Sequence, residues 1–358
     1  MKLTAQVKLL PTPEQAQALK ETLVRANAAC NWISAYAWEH RVFGQFSLHG
    51  VVYYQVKEQF GLTAQMAIRC EGKVADAYKL DKKALRQFKK HSAIAYDDRI
   101  LRWYVDKGEV SIWTLVGRQR LAFVCGDRQR KMLASRQGES DLVYCDGQFY
   151  LLATCNVVDP TPKETKDFLG VDLGITNLAV DSDGEKFSGS QVKGLRHHHA
   201  RLRAKLQSKG TKSAKRLLKK RRRKESRFAR DVNHCISKKL VAKAQGTDRG
   251  IALEDLKGIR DRITVRKAQR RTQHSWSFFQ LRSFVEYKAR LAGVSVVLVD
   301  ARNTSRTCPS CGHCEKANRP TRDIFRCVQC NYSGCADTIA AENIRRVAVN
   351  RPYADAAG

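Results

Sequence analysis

The chain has 358 residues, 43% of them hydrophobic, and its 66 Lys and Arg residues outnumber 35 Asp and Glu residues to give a net charge of +31. A chain of this size can form two or three domains with buried cores, and its charge indicates a polyanionic partner, nucleic acid before an acidic membrane surface. No apolar run approaches the ~18 residues that span a bilayer and no signal peptide opens the sequence, so we expect a soluble, intracellular protein and no membrane partner.

The start of the chain predicts one strand followed by helices. Residues 2–9 alternate between polar and apolar side chains, which is typical of a half-buried strand. The sequence TPEQ at residues 12–15 then offers an N-cap threonine, a proline at the first helical position and a capping-box glutamine. A helix is therefore expected from Pro13 to the high thirties, and further helical patterns continue to about Lys90.

The next segment predicts a small β-barrel. Its sequence consists of short β-rich runs, such as VSIWTLV and QFYLLATCNV, with glycines at roughly ten-residue spacing. If the first strand joins these runs, the barrel comprises residues 1–11 and 93–160, and the helices at residues 12–92 are an insertion. The sequence DPTP at residues 159–162 is the best candidate for a linker to the next domain.

After the linker, a carboxylate lies inside an apolar strand. FLGVDL at residues 168–173 predicts a strand with Asp172 in its middle, and a second strand at residues 176–180 leads to a hairpin turn. A buried carboxylate without a partner is strongly destabilising. Asp172 is therefore expected to have a partner or a metal ion.

Residues 193–230 carry 17 Lys or Arg residues against the single acid Glu225. Such a run is commonly a solvated or disordered tail. Here the run is internal, lacks proline and retains leucines, so we expect a basic helical hairpin that turns near residues 208–210 and follows a phosphate backbone without reading bases. The three histidines at residues 197–199 are expected to be exposed at a helix start. The candidate nucleic-acid-binding residues are Lys219, Lys220, Arg221, Arg222, Arg223 and Lys224.

Two CxxC pairs, fifteen residues apart, form the most specific motif in the chain. The four cysteines are Cys308, Cys311, Cys327 and Cys330. This spacing fits one four-thiolate zinc site, which has no open coordination position and is therefore expected to be structural. Two disulfides are the alternative, but twelve cysteines without a secretion signal indicate a reducing compartment. Nearby Cys314 and Cys335 could be spare ligands or small buried thiols, and the second reading is favoured.

Two further carboxylates flank the cysteine pairs. RGIALEDL predicts a strand that again ends an apolar run on an acid, Glu254, and Asp337 opens an alanine-rich helix after the second pair. With Asp172, three carboxylates thus face a core from the ends of elements, which is an arrangement that holds hard divalent cations. Each acid alone could instead be buried in a separate salt bridge, but three acids in this order weaken that alternative.

Together these motifs resemble a known family. VDLGITNLAV, IALEDL, NTSRTCPSCG, the second CxxC and ADTIAAENI are similar to successive motifs of the RuvC-type nuclease domain in transposon-encoded TnpB proteins, relatives of compact type V CRISPR effectors. The resemblance implies an α+β multidomain fold, in which a wedge-like β-barrel with a helical recognition insertion precedes a ribonuclease H-like (RuvC) α/β domain. That domain would span residues 166–350 with a zinc ribbon at residues 304–333, leaving a tail at residues 351–358.

The resemblance also implies the catalytic residues. Asp172, Glu254 and Asp337 correspond to the triad that holds two magnesium ions, for which manganese can substitute, and Asp172 would bridge both ions. The zinc ribbon lies between the second and third acids, as in the family. Many members have an aspartate where Cys335 stands and an asparagine where Ile339 stands.

The function implied by the resemblance is RNA-guided cutting of double-stranded DNA next to a short flanking motif, by two-metal phosphodiester hydrolysis. The partners would be a guide RNA derived from the transposon end and the target DNA, and the location would be the cytoplasm of a prokaryote, in association with the nucleoid. Two alternatives stay open. One is a compact type V CRISPR effector, and the other is a cleavage-deficient RNA-guided DNA-binding repressor of the same descent.

Overall fold

The structure, a computed structural model, describes residues 1–256, 278–300 and 302–350, apart from the side chains of Arg222, Arg223 and Phe278. The chain divides into two units, Met1–Val158 and Asp159–Gly358. Within the described ranges, no helix combines the length and the apolar character that crossing a membrane requires.

The first unit opens with strand β1 (Lys2–Leu10) and three helices, α1 (Pro13–His40), α2 (Gln45–Phe60) and α3 (Ala64–Leu80). The predicted capping box is present, since the hydroxyl of Thr12 accepts the backbone N–H of Gln15 and the Gln15 side chain accepts the N–H of Thr12. The helices end about ten residues earlier than predicted, because the cap after α3 is extended and no helix follows it before the next strand.

The rest of the first unit forms a nearly closed, barrel-like sheet of seven strands, ordered β2-β6-β7-β1-β5-β4-β3. Its later elements are β2 (Ile94–Tyr96), β3 (Leu101–Tyr104), β4 (Glu109–Thr114), β5 (Gly117–Val124), α4 (Asp127–Leu133), β6 (Arg136–Cys145) and β7 (Gln148–Asn156). Strand β1 pairs antiparallel with both β7 and β5. The three long helices therefore lie in the chain between two strands, β1 and β2, of the same sheet. Ala5, Val7 and Leu9 alternate into the core, as the sequence pattern predicted.

The second unit contains a mixed five-stranded sheet, ordered β10-β9-β8-β11-β12. Its elements are β8 (Phe168–Asp172), β9 (Asn177–Asp181), β10 (Lys186–Ser188), α5 (Ser190–Lys209), α6 (Lys212–Gly246), β11 (Gly250–Glu254), α7 (Phe278–Ala292) and β12 (Val296–Val299). Strand β11 lies parallel to β8 and β12, whereas β9 is antiparallel to β8. A short hairpin of β13 (Ile324–Arg326) and β14 (Ser333–Cys335) leads into helix α8 (Ala336–Val349).

Helix α8 packs directly on β8, and Gly170 makes this contact possible. A Cβ atom at Gly170 would overlap the carbonyl oxygen of Ala341 and lie 2.7 Å from the backbone nitrogen of Arg345. Asp337 lies four residues before Ala341 along α8, a rise of about 6 Å. Asp172 lies two residues after Gly170 along β8, a rise of about 6.6 Å. The packing therefore brings Asp337 on α8 level with Asp172 at the end of β8.

We expect Gly170→Ala to lower the free energy of unfolding of the second unit by about 1–3 kcal/mol, because the added methyl group forces α8 away from β8. Gly194→Ala is the matched control. Gly194 is exposed within α5 and a Cβ atom there meets no atom within 4 Å, so alanine should stabilise the helix by about 0.5–1 kcal/mol. Urea unfolding of both variants measures the difference, and equal effects would contradict the packing argument.

Candidate metal centres

The structure brings the three acids predicted from the sequence to one edge of the second sheet. Asp172 and Glu254 are the last residues of β8 and β11. These strands are parallel, and Leu253 pairs with Val171, so the two carboxylates follow one another at the same end of the sheet. Asp337, in the first turn of α8, is the third. Asp172 lies at the end of its strand and not in the middle, because the chain leaves the sheet after it.

The two carboxylates at the strand ends of this cluster are hard to ionise. Burial is the largest cause that raises the pKa of Asp172 to about 8, and the carboxylates of Glu254 and Asp337 raise it further. Burial also raises the pKa of Glu254, against the hydroxyl of Thr304, which donates to Glu254 Oε1 at 2.6 Å. A hard divalent cation would favour the ionised form of these carboxylates, which burial and, for Asp172, the neighbouring acids otherwise disfavour.

A frame of polar side chains holds the third carboxylate. The amide of Asn177, the first residue of β9, donates to Asp337 Oδ2 at 2.9 Å, and the guanidinium of Arg319 donates to Oδ1 at 3.2 Å. Arg319 also acts against the rise in the pKa of Asp172. Sequence reasoning missed Asn177, Arg319 and Thr304. Asn177 lies within the motif VDLGITNLAV and Thr304 within NTSRTCPSCG, but Arg319 is one cation among many and no local pattern marks it.

The four cysteines of the two CxxC pairs form one cluster. Their sulfur atoms all lie within 4.8 Å of one another, with 3.6 Å between Cys308 and Cys330 and between Cys311 and Cys327. Sulfurs at Zn–S distances of 2.3 Å around a tetrahedral ion would be about 3.8 Å apart, whereas a disulfide requires about 2.05 Å. The donor set therefore fits one metal ion and does not fit the disulfide alternative.

Backbone geometry repeats at the two halves of this cluster. The N–H of Gly312 donates to Cys308 O, and the N–H of Asn331 donates to Cys327 O, each at 3.0 Å. Gly312 has φ 77° and Asn331 has φ 56°, the left-handed conformation expected after each pair. Cys314 and Cys335 do not belong to the cluster. The prediction of a buried thiol is wrong for Cys314, which is exposed, while Cys335 is half-buried.

The cysteine cluster is tied to the acids through α8. Strand β14 runs into α8 without a linker, and Ala336 and Ile339 pack with Phe325 against two of the cysteines. The side-chain amide of Asn343 donates to the carbonyl oxygens of Thr304 and Thr307, each at 2.7 Å. A metal ion on the four sulfurs would therefore stiffen both the element that carries Asp337 and the loop that orients Glu254.

The basic hairpin is present and longer than predicted. Helices α5 and α6 meet at Gly210, whose φ is 63°, and Thr211 caps α6 by accepting the N–H of Ala214. Lys219, Lys220 and Lys224 are exposed and Arg221 is half-buried, which suits contact with phosphate, while the side chains of Arg222 and Arg223 lie outside the described residues. His199 is buried against α6, so its predicted exposure is wrong, and it lies near the middle of a helix that begins at Ser190.

Metal-free protein should lose stability as the pH rises, because the pKa of Asp172 in the folded state, about 8, exceeds the ordinary value of 3.8. The folded state holds this proton more tightly than the unfolded state does. The stability that the protonated Asp172 contributes is therefore complete below pH ~4 and is lost as the pH rises through about 8. Asp172→Asn cannot ionise and should flatten this dependence. Urea unfolding between pH 4 and 9 without added divalent ions measures it, and equal profiles would contradict the assignment.

Comparison with known proteins supports one family. Residues 152–257 match a family model described as a probable transposase, and residues 278–344 match one described as the Cas12f1-like TNB domain. A cryo-EM structure titled as a Cas12f1–sgRNA–target DNA complex shares the fold, with a TM-score of 0.60 at 15% identity over 94% of this chain and 83% of that one.

Two relatives are similar in sequence. InsQ of Escherichia coli K12, provisionally named an RNA-guided DNA endonuclease, is 25% identical over 219 residues, 55% of this chain and 53% of that protein. The chain thus spans about half the length of that relative. A TnpB-like protein of Methanocaldococcus jannaschii is 30% identical over 195 residues, which are 51% of this chain and 69% of that protein. The chain belongs to the TnpB family.

Proposed function

We propose that the chain is a transposon-encoded, RNA-guided DNA endonuclease that cuts double-stranded DNA next to a short flanking motif. The observation that carries this proposal is the convergence of Asp172, Glu254 and Asp337, with the pKa of Asp172 raised by burial and by its two neighbours. The name of InsQ supports it. The mixed sheet with acids at the ends of β8 and β11 supports a ribonuclease H-like (RuvC) nuclease domain at residues 166–350.

The three carboxylates would hold two magnesium ions, with manganese as a substitute. Their oxygen donors fit these hard ions, and a cation would offset the burial and the mutual repulsion that raise the pKa of Asp172. Bound there, such ions would supply an activated water and electrostatic stabilisation of the leaving oxygen.

The residues around the triad would position the carboxylates and the DNA. Asn177 fixes one oxygen of Asp337, and the Thr304 hydroxyl fixes Glu254, so both acids are oriented before a substrate arrives. Arg319 lies beside Asp337 as a fixed cation on a ribbon that is not part of the sheet. Its planar guanidinium is suited to hold a DNA phosphate next to the carboxylates.

The other parts of the chain would bind the partners. We assign the guide RNA and the target DNA to the basic hairpin at residues 193–230 and to the first unit, with a wedge at residues 1–11 and 93–160 and a recognition part at residues 12–92. The ribbon at residues 304–333 would hold one structural zinc. The proposed location is the prokaryotic cytoplasm, in association with the nucleoid, and the tail at residues 351–358 lies outside the described residues.

With its guide RNA and magnesium, the wild-type protein should cut a matching double-stranded target, and Asp172→Ala, Glu254→Ala and Asp337→Ala should each abolish cutting while guided binding persists. Asp231→Ala, which removes an exposed carboxylate from α6, should leave cutting unchanged. Gel-shift and cleavage assays on one target compare all five proteins. If the wild-type protein binds the guided target but never cuts it in magnesium or manganese, the chain is an RNA-guided repressor and not a nuclease. If it binds no RNA, the proposed activity is refuted.

The cysteine cluster should carry one zinc per chain, and Cys327→Ser should release it and loosen the second unit, because metal binding supplies folding free energy in such sites. Cys235→Ser is the control, since Cys235 is exposed on α6 and is not a member of the four-sulfur cluster. Elemental analysis and limited proteolysis measure both effects. Wild-type protein without zinc would sink the assignment.

A further inference from the structure

A basic segment without helix or strand connects α3 to β2. Between residues 82 and 92 it carries five Lys or Arg residues and no Asp or Glu residue. The sequence pattern predicted helix up to about Lys90, whereas residues 81–93 form neither helix nor strand. We call these residues the strap. The proposed function assigns nucleic acid to the first unit as a whole and does not explain what the strap does.

Helix α1 holds the backbone of the strap in place. The α1 side chains that bond to the strap lie at positions i, i+4 and i+7, on one face of the helix, and are Asn27, Asn31 and Ser34. The amide of Asn31 donates to Phe88 O at 2.9 Å, and its oxygen accepts the N–H of Phe88 at 2.7 Å. The hydroxyl of Ser34 donates to Arg86 O at 2.7 Å. Because Asn27 and Ser34 are fully buried, losing these bonds would leave polar atoms without water, so the strap has a fixed path.

The side chains of the strap divide into an inner and an outer set. Phe88 packs against the core of the first unit, and Lys73 Nζ lies 4.8 Å from the centre of its ring. Arg86 is half-buried and paired with Asp81. The outer set includes four lysines, which are Lys82, Lys83, Lys89 and Lys90. Each of them is exposed, and none has an ion pair with another residue that the structure describes.

The strap therefore has a positive charge that the protein does not compensate. Residues 81–93 contain five cations against the single acid Asp81, a net charge of +4 (5 − 1). Like charges this close together repel one another, and a surface without a partner usually intersperses the two signs. Water can solvate a run of exposed lysines, but lysines on a backbone that buried hydrogen bonds fix are also positioned in advance for a partner. A polyanion is the partner that such a surface attracts.

The outer side chains indicate how the polyanion is bound. A lysine ammonium is a compact point charge that suits phosphate. Phe88, the strap's only Phe, Tyr or Trp residue, faces the core, so the strap offers no such ring on which an unpaired base could stack. A duplex keeps its bases inside and presents its phosphates along the outside, where an exposed row of lysines can reach them. These features favour a duplex over a single strand.

Of the two proposed partners, the target DNA suits the strap better. Contacts between lysine and phosphate position a nucleic acid but carry no sequence information. A guide RNA keeps the same fold from complex to complex and can be recognised through its shape and its unpaired bases. A target DNA changes its sequence from site to site outside the flanking motif, so the protein must hold it by its backbone.

We propose that the strap binds the backbone of the target DNA duplex, with phosphates on Lys82, Lys83, Lys89 and Lys90. This inference rests on the proposed DNA partner. It gives the first unit a surface of its own that holds duplex DNA at any sequence, in addition to the basic hairpin of the second unit.

Replacement of the four lysines by glutamine tests the strap. The full chain, without guide and without magnesium, is titrated with a DNA duplex of about 20 base pairs at several salt concentrations. The variant should bind at least about tenfold more weakly, and the slope of log K against log salt should fall by up to ~3.6, which is ~0.9 for each of four phosphate contacts. Lys89→Gln combined with Lys90→Gln should give about half of the change in slope.

The matched control removes four exposed cations from other parts of the first unit. Its substitutions are Lys2→Gln, Lys107→Gln, Arg128→Gln and Lys131→Gln. Both fourfold variants lower the net charge to +27 (31 − 4). The control should bind the duplex within about twofold of the wild type and keep its slope. Equal losses in the two variants would show that only net charge matters and would overturn the proposal.

The RNA that copurifies with the protein distinguishes the two nucleic acids. The strap variant should retain this RNA and bind it like the wild type. A loss of RNA binding as large as the loss of DNA binding would assign the strap to the guide RNA and overturn the proposal. If no RNA copurifies with the wild type, guided cutting is refuted, while the duplex titration still decides whether the strap binds DNA.

Discussion

Three carboxylates that lie together in a partly buried place repel one another, and the second unit is built around that constraint. Two of them are fixed at the ends of adjacent parallel strands, β8 and β11, where neither can move without breaking the sheet. The third is fixed by α8, whose backbone reaches β8 only because residue 170 has no side chain. Rigid packing thus opposes the repulsion that would separate the acids, and the charge stays available for cations.

The ribbon and the hairpin extend this arrangement in two directions. The ribbon supplies Arg319 to Asp337 and, through Thr304 and Asn343, connects the cysteine cluster to Glu254 and to α8. The hairpin supplies cations in a chain whose net charge is +31. An acidic centre that would itself repel a polyanion therefore lies in a protein whose other surfaces attract one.

The sequence predicted the parts of the site that depend on local pattern. Apolar runs that end on Asp172 and Glu254 located two strands, and the CxxC spacing located the four sulfurs. The roles of Asn177 and Arg319 were not predicted, because they depend on hydrogen bonds to Asp337, which lies 160 and 18 residues away in the sequence. Periodicity in the sequence does not reveal such contacts. The burial of His199 was not predicted for a related reason. It results from the packing of α5 on α6, whereas the charged residues around it in the sequence suggested exposure. Helix α4, only seven residues long, falls between two strands and leaves too short a pattern to detect.

The central claim is that the three acids act as one binding site for divalent ions. Manganese titration of the full chain, followed by electron paramagnetic resonance, tests it without depending on a guide or a target. We predict two ions per chain whose spins are coupled, because ligands shared between two ions bring them close together, and loss of that coupled signal when Asp172 is replaced by Asn. Uncoupled, weak binding that the substitution leaves unchanged would contradict the claim.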